Sequence, residues 1–91
     1  MYSIGTFLKE KRENLDMQLQ DVQSQTNIGL SILSRIENDK RLPTKPQLLQ
    51  LAQLYDCDKH KVLVHWLSDK VVSEIKYEDF GLEALQIAEE K

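Results

Sequence analysis

The chain has little that bends, cross-links or spans: among 91 residues there are one cysteine, two prolines and three glycines. A single thiol, Cys57, excludes an intrachain disulfide framework and suits a reducing compartment. No stretch approaches the roughly 18 consecutive apolar residues that a membrane-spanning helix needs, so no membrane partner is expected. The opening Met1-Tyr2-Ser3-Ile4-Gly5 lacks the basic start and apolar run of a secretory signal, and a cytoplasmic location is expected. Scarce proline and glycine beside abundant Leu, Gln, Lys and Glu favour helices over strands.

Chemistry-bearing constellations are missing as well. There is no Gly-rich phosphate loop, no nucleophile–base set and no carboxylate pair with a plausible pocket, so catalysis is not expected. Cys57, His60 and His65 stand at no recognised ligand spacing and lack a fourth ligand. Neither a metal nor another cofactor is expected.

What is present is a series of short amphipathic segments; 41% of the residues are hydrophobic, enough for a core. Ser3 is placed to cap a helix over residues 4–12, with Ile4, Phe7 and Leu8 on one face and the stem of Lys11 flanking it. Asn14-Leu15-Asp16 breaks that pattern. A second helix reads from Gln18 to Gln25, turning Leu19, Val22 and Thr26 inward. After the four-residue interruption Thr26-Asn27-Ile28-Gly29, a third reads from Leu30 to about Asn38. Thr44-Lys45-Pro46-Gln47 has the form of a capping box and opens a fourth helix over 45–55, amphipathic through Leu48, Leu51, Ala52 and Tyr55. Asp58 can cap a fifth over 59–76, and Phe80 to Glu90 forms a last amphipathic stretch.

Two short helices joined by a tight turn and flanked by others describe a helix-turn-helix. The second helix of such a pair needs an apolar inner face to dock and an outer face that reaches base edges in a major groove about 12 Å wide. The third helix divides in this way: Ile32, Leu33 and Ile36 point inward, while Leu30, Ser31, Ser34 and Arg35 point out.

The string Ile28-Gly29-Leu30-Ser31-Ile32-Leu33-Ser34-Arg35-Ile36-Glu37-Asn38, followed by Lys40-Arg41 with Pro43 and then Leu48-Leu49 with Leu51-Ala52, resembles the phage Cro/repressor type of helix-turn-helix, the XRE family. The resemblance runs from Ile4 to Asp58. It implies an all-α, five-helix, lambda-repressor-like domain that binds double-stranded DNA. It further implies that Leu30, Ser31, Ser34 and Arg35 face bases, that Asn38, Lys40 and Arg41 touch the sugar-phosphate backbone, and that Arg12 and Glu37 form an internal salt bridge. Three positions depart from the pattern. Leu19 replaces a customary Gln that holds a phosphate, so Gln18 or Gln20 would have to serve; Gly29 replaces a Ser or Thr cap; Asp39 stands where Gly is common.

The overall charge of −3 opposes a polyanionic partner, but it is unevenly spread. Residues 1–45 hold seven Lys/Arg against six Asp/Glu, a net of +1, and residues 46–91 hold five against nine, a net of −4. The acid belongs to the C-terminal half.

That half carries two further stripes. Leu63, Trp66, Leu67, Val71 and Ile75 line the fifth helix, and Phe80, Ala84, Leu85, Ile87 and Ala88 the last. These either close the core of one subunit or form a homodimer interface anchored by Trp66, Val71, Ile75, Phe80 and Leu85; the second is preferred, because the domain needs no extension past residue 68. The expected organisation is a DNA-binding domain over 1–67 and a helical dimerisation extension over 68–91. The expected function is a homodimeric transcriptional repressor on an inverted repeat, like restriction–modification controllers or phage repressors. The rivals are an antitoxin that holds a protein partner through its C-terminal helices, and an interaction module without DNA binding.

Overall fold

The computed structural model describes residues 2–91, and its helix ends explain how a chain so poor in glycine turns sharply. Asp16, Asn27, Asp39 and Asp56 all take positive φ, between 53° and 62°. Asp and Asn bear this left-handed conformation better than other side-chain-bearing residues because their short polar side chains bond locally. Three of these ends close with the same backbone bond, from the residue after the positive-φ position back to a carbonyl five residues earlier. Met17 N–H reaches Arg12 O, Lys40 N–H reaches Arg35 O and Cys57 N–H reaches Ala52 O, at 3.2, 2.8 and 2.8 Å. Each occupies a carbonyl of the last turn, where the helix itself leaves acceptors short of donors.

Between these stops lie six helices: α1 (Ile4–Asn14), α2 (Leu19–Thr26), α3 (Leu30–Glu37), α4 (Lys45–Leu54), α5 (Lys59–Ile75) and α6 (Gly81–Glu90). The starts match the capping signals in the sequence. Ser3 Oγ accepts from Thr6 N at 3.1 Å, Thr44 and Gln47 exchange the two bonds of a capping box, and Asp58 accepts from the His60 and Lys61 N–H groups. The architecture is all-α, as the sequence indicates.

The inward faces meet in one core. Ile4 and Leu8 of α1, Val22 of α2, Leu33 and Ile36 of α3, Leu48, Leu51 and Ala52 of α4, and Val62 and Trp66 of α5 are all buried. At about 25 cal/mol per Å² of apolar surface removed from water, each large side chain contributes roughly 1.5–3 kcal/mol. Helix α3 lies on α1 and α2, α5 on α4 and α1, and α6 on the end of α5.

Two expectations change here. The boundary placed between residues 67 and 68 falls inside α5, a single 17-residue helix that runs through it without a break. The far half of α5 is also tied to the domain: Asp69 Oδ2 accepts from Ile4 N at 2.8 Å, satisfying an orphan donor of α1. Trp66, expected as an exposed dimer anchor, is only 7% exposed and belongs to the core. Its indole N–H donates to Pro43 O at 2.8 Å, and Lys70 Nζ stands 4.6 Å from its ring. A buried indole seeks a partner for its N–H, and the loop before α4 supplies one.

Candidate nucleic-acid interface

Helix α3 is pinned from beneath. Leu33 and Ile36 enter the core, and Ile32 packs at its edge. At its last residue, Glu37 takes two bonds from Arg12 of α1, Nε to Oε2 at 2.8 Å and Nη2 to Oε1 at 2.9 Å; Arg12 Nη1 also donates to Met17 O. The two side chains are 11% and 7% exposed, so this fork joins α3, α1 and the α1–α2 turn inside the protein. The bond to Glu37 holds the guanidinium above its ordinary pKa, and the ion pair implied by the resemblance is present.

Close approach fixes the opposite edge. A Cβ on Gly5 would lie 2.3 Å from Ile36 O and 2.5 Å from Asp39 Oδ1, so α1 reaches the end of α3 only because residue 5 has no side chain. Nothing in the sequence pattern marked Gly5, which reads as an ordinary helical position.

With its inner face held, α3 presents the expected outer one. Leu30, Ser31 and Arg35 are exposed and Ser34 is half-buried. Leu30, at the first position of the helix, keeps 37% of its surface accessible. Gln18 and Gln20 are both exposed at the start of α2, flanking Leu19, which leans on the core. This accounts for the apolar residue at that position: Leu19 packs, and its neighbours carry the polar surface. Gly29 caps α3 with φ −61° and no side chain, which any L-residue could match.

Charge around this face sorts itself. Asp21 Oδ2 accepts from Gln18 N at 2.8 Å, Glu37 is paired with Arg12, and Asp39 Oδ2 accepts from Ser3 Oγ at 2.9 Å. All three acids between residues 18 and 45 are thus engaged within the protein. Asp39, which stands where Gly is common in the resembled pattern, turns its carboxylate toward the N-terminus of α1, where negative charge is favoured. Among the described residues Arg12–Glu37 is the one ion pair, so Arg35, Lys40, Arg41 and Lys45 have no carboxylate partner. Lys40 and Arg41 are exposed and share a groove with Lys76 of α5, a cation the sequence pattern did not connect with them. Asn38 differs from expectation: its Nδ2 is turned back on α3, 2.9 Å from Ser34 O and 3.3 Å from Ser34 Oγ.

Of the C-terminal anchors, Val71 and Phe80 are exposed, Phe80 at 76%, while Ile75 and Leu85 are half-buried. Leu67, Val72, Leu82 and Ile87 add to the uncovered apolar surface. Gly81 lets α6 turn back tightly, since a Cβ there would meet Ile75 O at 2.5 Å. Cys57 and His65 have local roles, while His60 is exposed. Burial pushes the Cys57 thiol above its ordinary pKa, the reverse of what a nucleophilic thiolate needs. His65 Nε2 lies 2.7 Å from Tyr2 O, with its ring stacked on Tyr2 and edge-on to Phe7. Among the described residues no three His, Cys, Asp or Glu side chains gather as a metal site, and no helix is long and apolar enough to cross a membrane.

A family model described as a helix-turn-helix domain matches residues 5–71, about three quarters of the chain. Searches of curated proteins and of solved structures found no match. The match takes in α1 to α4 and most of α5, and with it the α2–turn–α3 unit whose outer face is described above. The chain belongs to the helix-turn-helix domain family, whose members bind DNA.

Proposed function

We propose that this chain is a cytoplasmic transcriptional repressor that binds an inverted repeat in duplex DNA as a homodimer, and that it is not an enzyme. The observation that carries this reading is the charge around α3: its three neighbouring acids are each engaged by a group of the protein, whereas Arg35, Lys40 and Arg41 are exposed and have no carboxylate partner among the described residues. A helix about 10–12 Å across with its side chains fits the major groove, and Arg35 is suited to the O6 and N7 of guanine. Lys40 and Arg41, with Gln18 and Gln20 at the start of α2, are exposed, and their cations and amides are the groups that would hold phosphates. Homodimerisation draws support from the apolar surface that α5 and α6 leave uncovered, through Val71 and Phe80 among others. Two-fold symmetry then sets half-sites about 10 bp apart, or a multiple of that. The same uncovered surface would serve an antitoxin equally well, in which case a second small protein co-purifies on α6.

Selection of bound fragments from a random duplex pool tests the reading. An inverted repeat should emerge, and affinity for it should fall with salt at a log–log slope of about −0.9 per neutralised phosphate. Arg35→Ala should cost about 1–3 kcal/mol at the selected site and relax one base position. Binding that ignores salt, or no enrichment at all, would leave a protein-interaction module in its place.

A further inference from the structure

The bond between Asn38 and Ser34 fixes more than a helix end. Asn38 is the C-cap of α3, one turn beyond Ser34. Its side-chain nitrogen lies 2.9 Å from Ser34 O, and because a backbone carbonyl can only accept, the amide must point its NH₂ group inward. That same group lies 3.3 Å from Ser34 Oγ, so the hydroxyl receives a hydrogen bond. A serine hydroxyl has one hydrogen to give, and among the described residues this one has no acceptor. Ser34 is therefore polarised: one lone pair is occupied by Asn38, and the hydrogen is left for the outer face.

We infer that Asn38 is a positioning residue that makes Ser34 a hydrogen-bond donor toward DNA, and so sets which base edge Ser34 prefers. This rests on the reading of Ser34 as a base-facing residue. Serine taken alone is a permissive reader, because its hydroxyl donates or accepts as the base requires. Held by Asn38, it favours an edge rich in acceptors. Guanine, with O6 and N7 in the major groove, suits it best, and the amino groups of cytosine and adenine suit it least. The assignment also separates Asn38 from Lys40 and Arg41. A phosphate accepts only, and the one donor group of the Asn38 side chain is already committed to Ser34.

The test reverses the polarity. In Asn38→Asp the carboxylate accepts the Ser34 hydrogen, leaving serine lone pairs toward the groove. Selections from the random duplex pool are run with the wild type, Asn38→Asp, Asn38→Ala, Ser34→Ala and the double variant Ser34→Ala/Asn38→Asp. One base position should show about fivefold preference for an acceptor edge with the wild type, the order expected of one hydrogen bond. Asn38→Asp should shift that position toward cytosine or adenine, Asn38→Ala should flatten it, and Ser34→Ala should abolish the preference in either background. Asn38 is exposed, so these variants should melt close to the wild type; should the Asp variant fail to fold, flattening by Asn38→Ala decides the matter. The inference falls if the preference survives both Asn38 changes, or if the shift persists without the Ser34 hydroxyl, while the regulator reading stands. If the wild type selects no sequence, both fall together.

Discussion

Removing one partner of the Arg12–Glu37 pair should unfold much of what holds α3 in place. Arg12→Met leaves the Glu37 carboxylate, 7% exposed, without its two bonds, and leaves Met17 O without a donor. Stranding one charge of a buried pair costs about 3–5 kcal/mol, because the remaining ion keeps its desolvation penalty and loses the compensating attraction. A domain of this size has roughly 5–14 kcal/mol of stability in all, so at least a fifth is at stake, and the thermal midpoint should fall by about 20 °C. Glu37→Leu should cost a similar amount, since it strands the guanidinium. The double variant Arg12→Met/Glu37→Leu has no buried charge and fills the space with apolar groups. Its loss should be smaller than the sum of the two single losses by about 2 kcal/mol or more. Urea unfolding of the four proteins, followed by helical circular dichroism, measures all the terms. Single losses under about 1 kcal/mol, or strict additivity, would show that solvent reaches the pair and that packing alone sets the seat of α3.

Two glycines should respond in opposite directions. Gly29→Ser should stabilise by a few tenths to about 1 kcal/mol, because φ is −61°, nothing lies within 4 Å of the added Cβ, and a hydroxyl can cap α3. Gly5→Ala should cost about 2–4 kcal/mol, because its Cβ meets the Ile36 carbonyl; a neutral thermal midpoint would show that α1 shifts freely. Tyr55, a core residue only 5% exposed, is held well above its ordinary value of 10.0, chiefly by burial and secondarily by Glu37. The unfolded chain then loses this proton first as pH rises past about 10, so the stability Tyr55 contributes is intact below that pH and drains away above it. Absorbance titration should show one phenol resisting ionisation until the helices melt, and its titration near 10 in the folded protein would refute this. Truncation after Lys76 should convert a sedimenting dimer to a monomer that still folds, because Asp69, Lys70 and Trp66 all remain, and whose melt no longer depends on protein concentration; a persistent dimer would place the contact outside α6.

Much of this molecule is local, and what is local could be read along the chain. Ser3, Thr44 and Asp58 announce helix starts because a cap needs only an oxygen two or three residues before the amides it serves. The two faces of α3 follow from spacing alone, since the helical repeat assigns Leu33 and Ile36 to one side and Leu30, Ser31 and Arg35 to the other. The Arg12–Glu37 fork came from resemblance, and no spacing rule would have joined positions 25 apart. Gly5, Asp39, Asp69 and Trp66 were settled only by the packed chain. Each acts across a contact between elements distant in sequence: Gly5 beneath the Ile36 carbonyl, Asp39 at Ser3, Asp69 at the Ile4 amide, Trp66 on Pro43 O. Periodicity reports which way a side chain points from its own helix and nothing about what arrives to meet it. For that reason Trp66 looked like a free anchor and Asp39 like a misplaced acid, until the neighbouring helices supplied their partners.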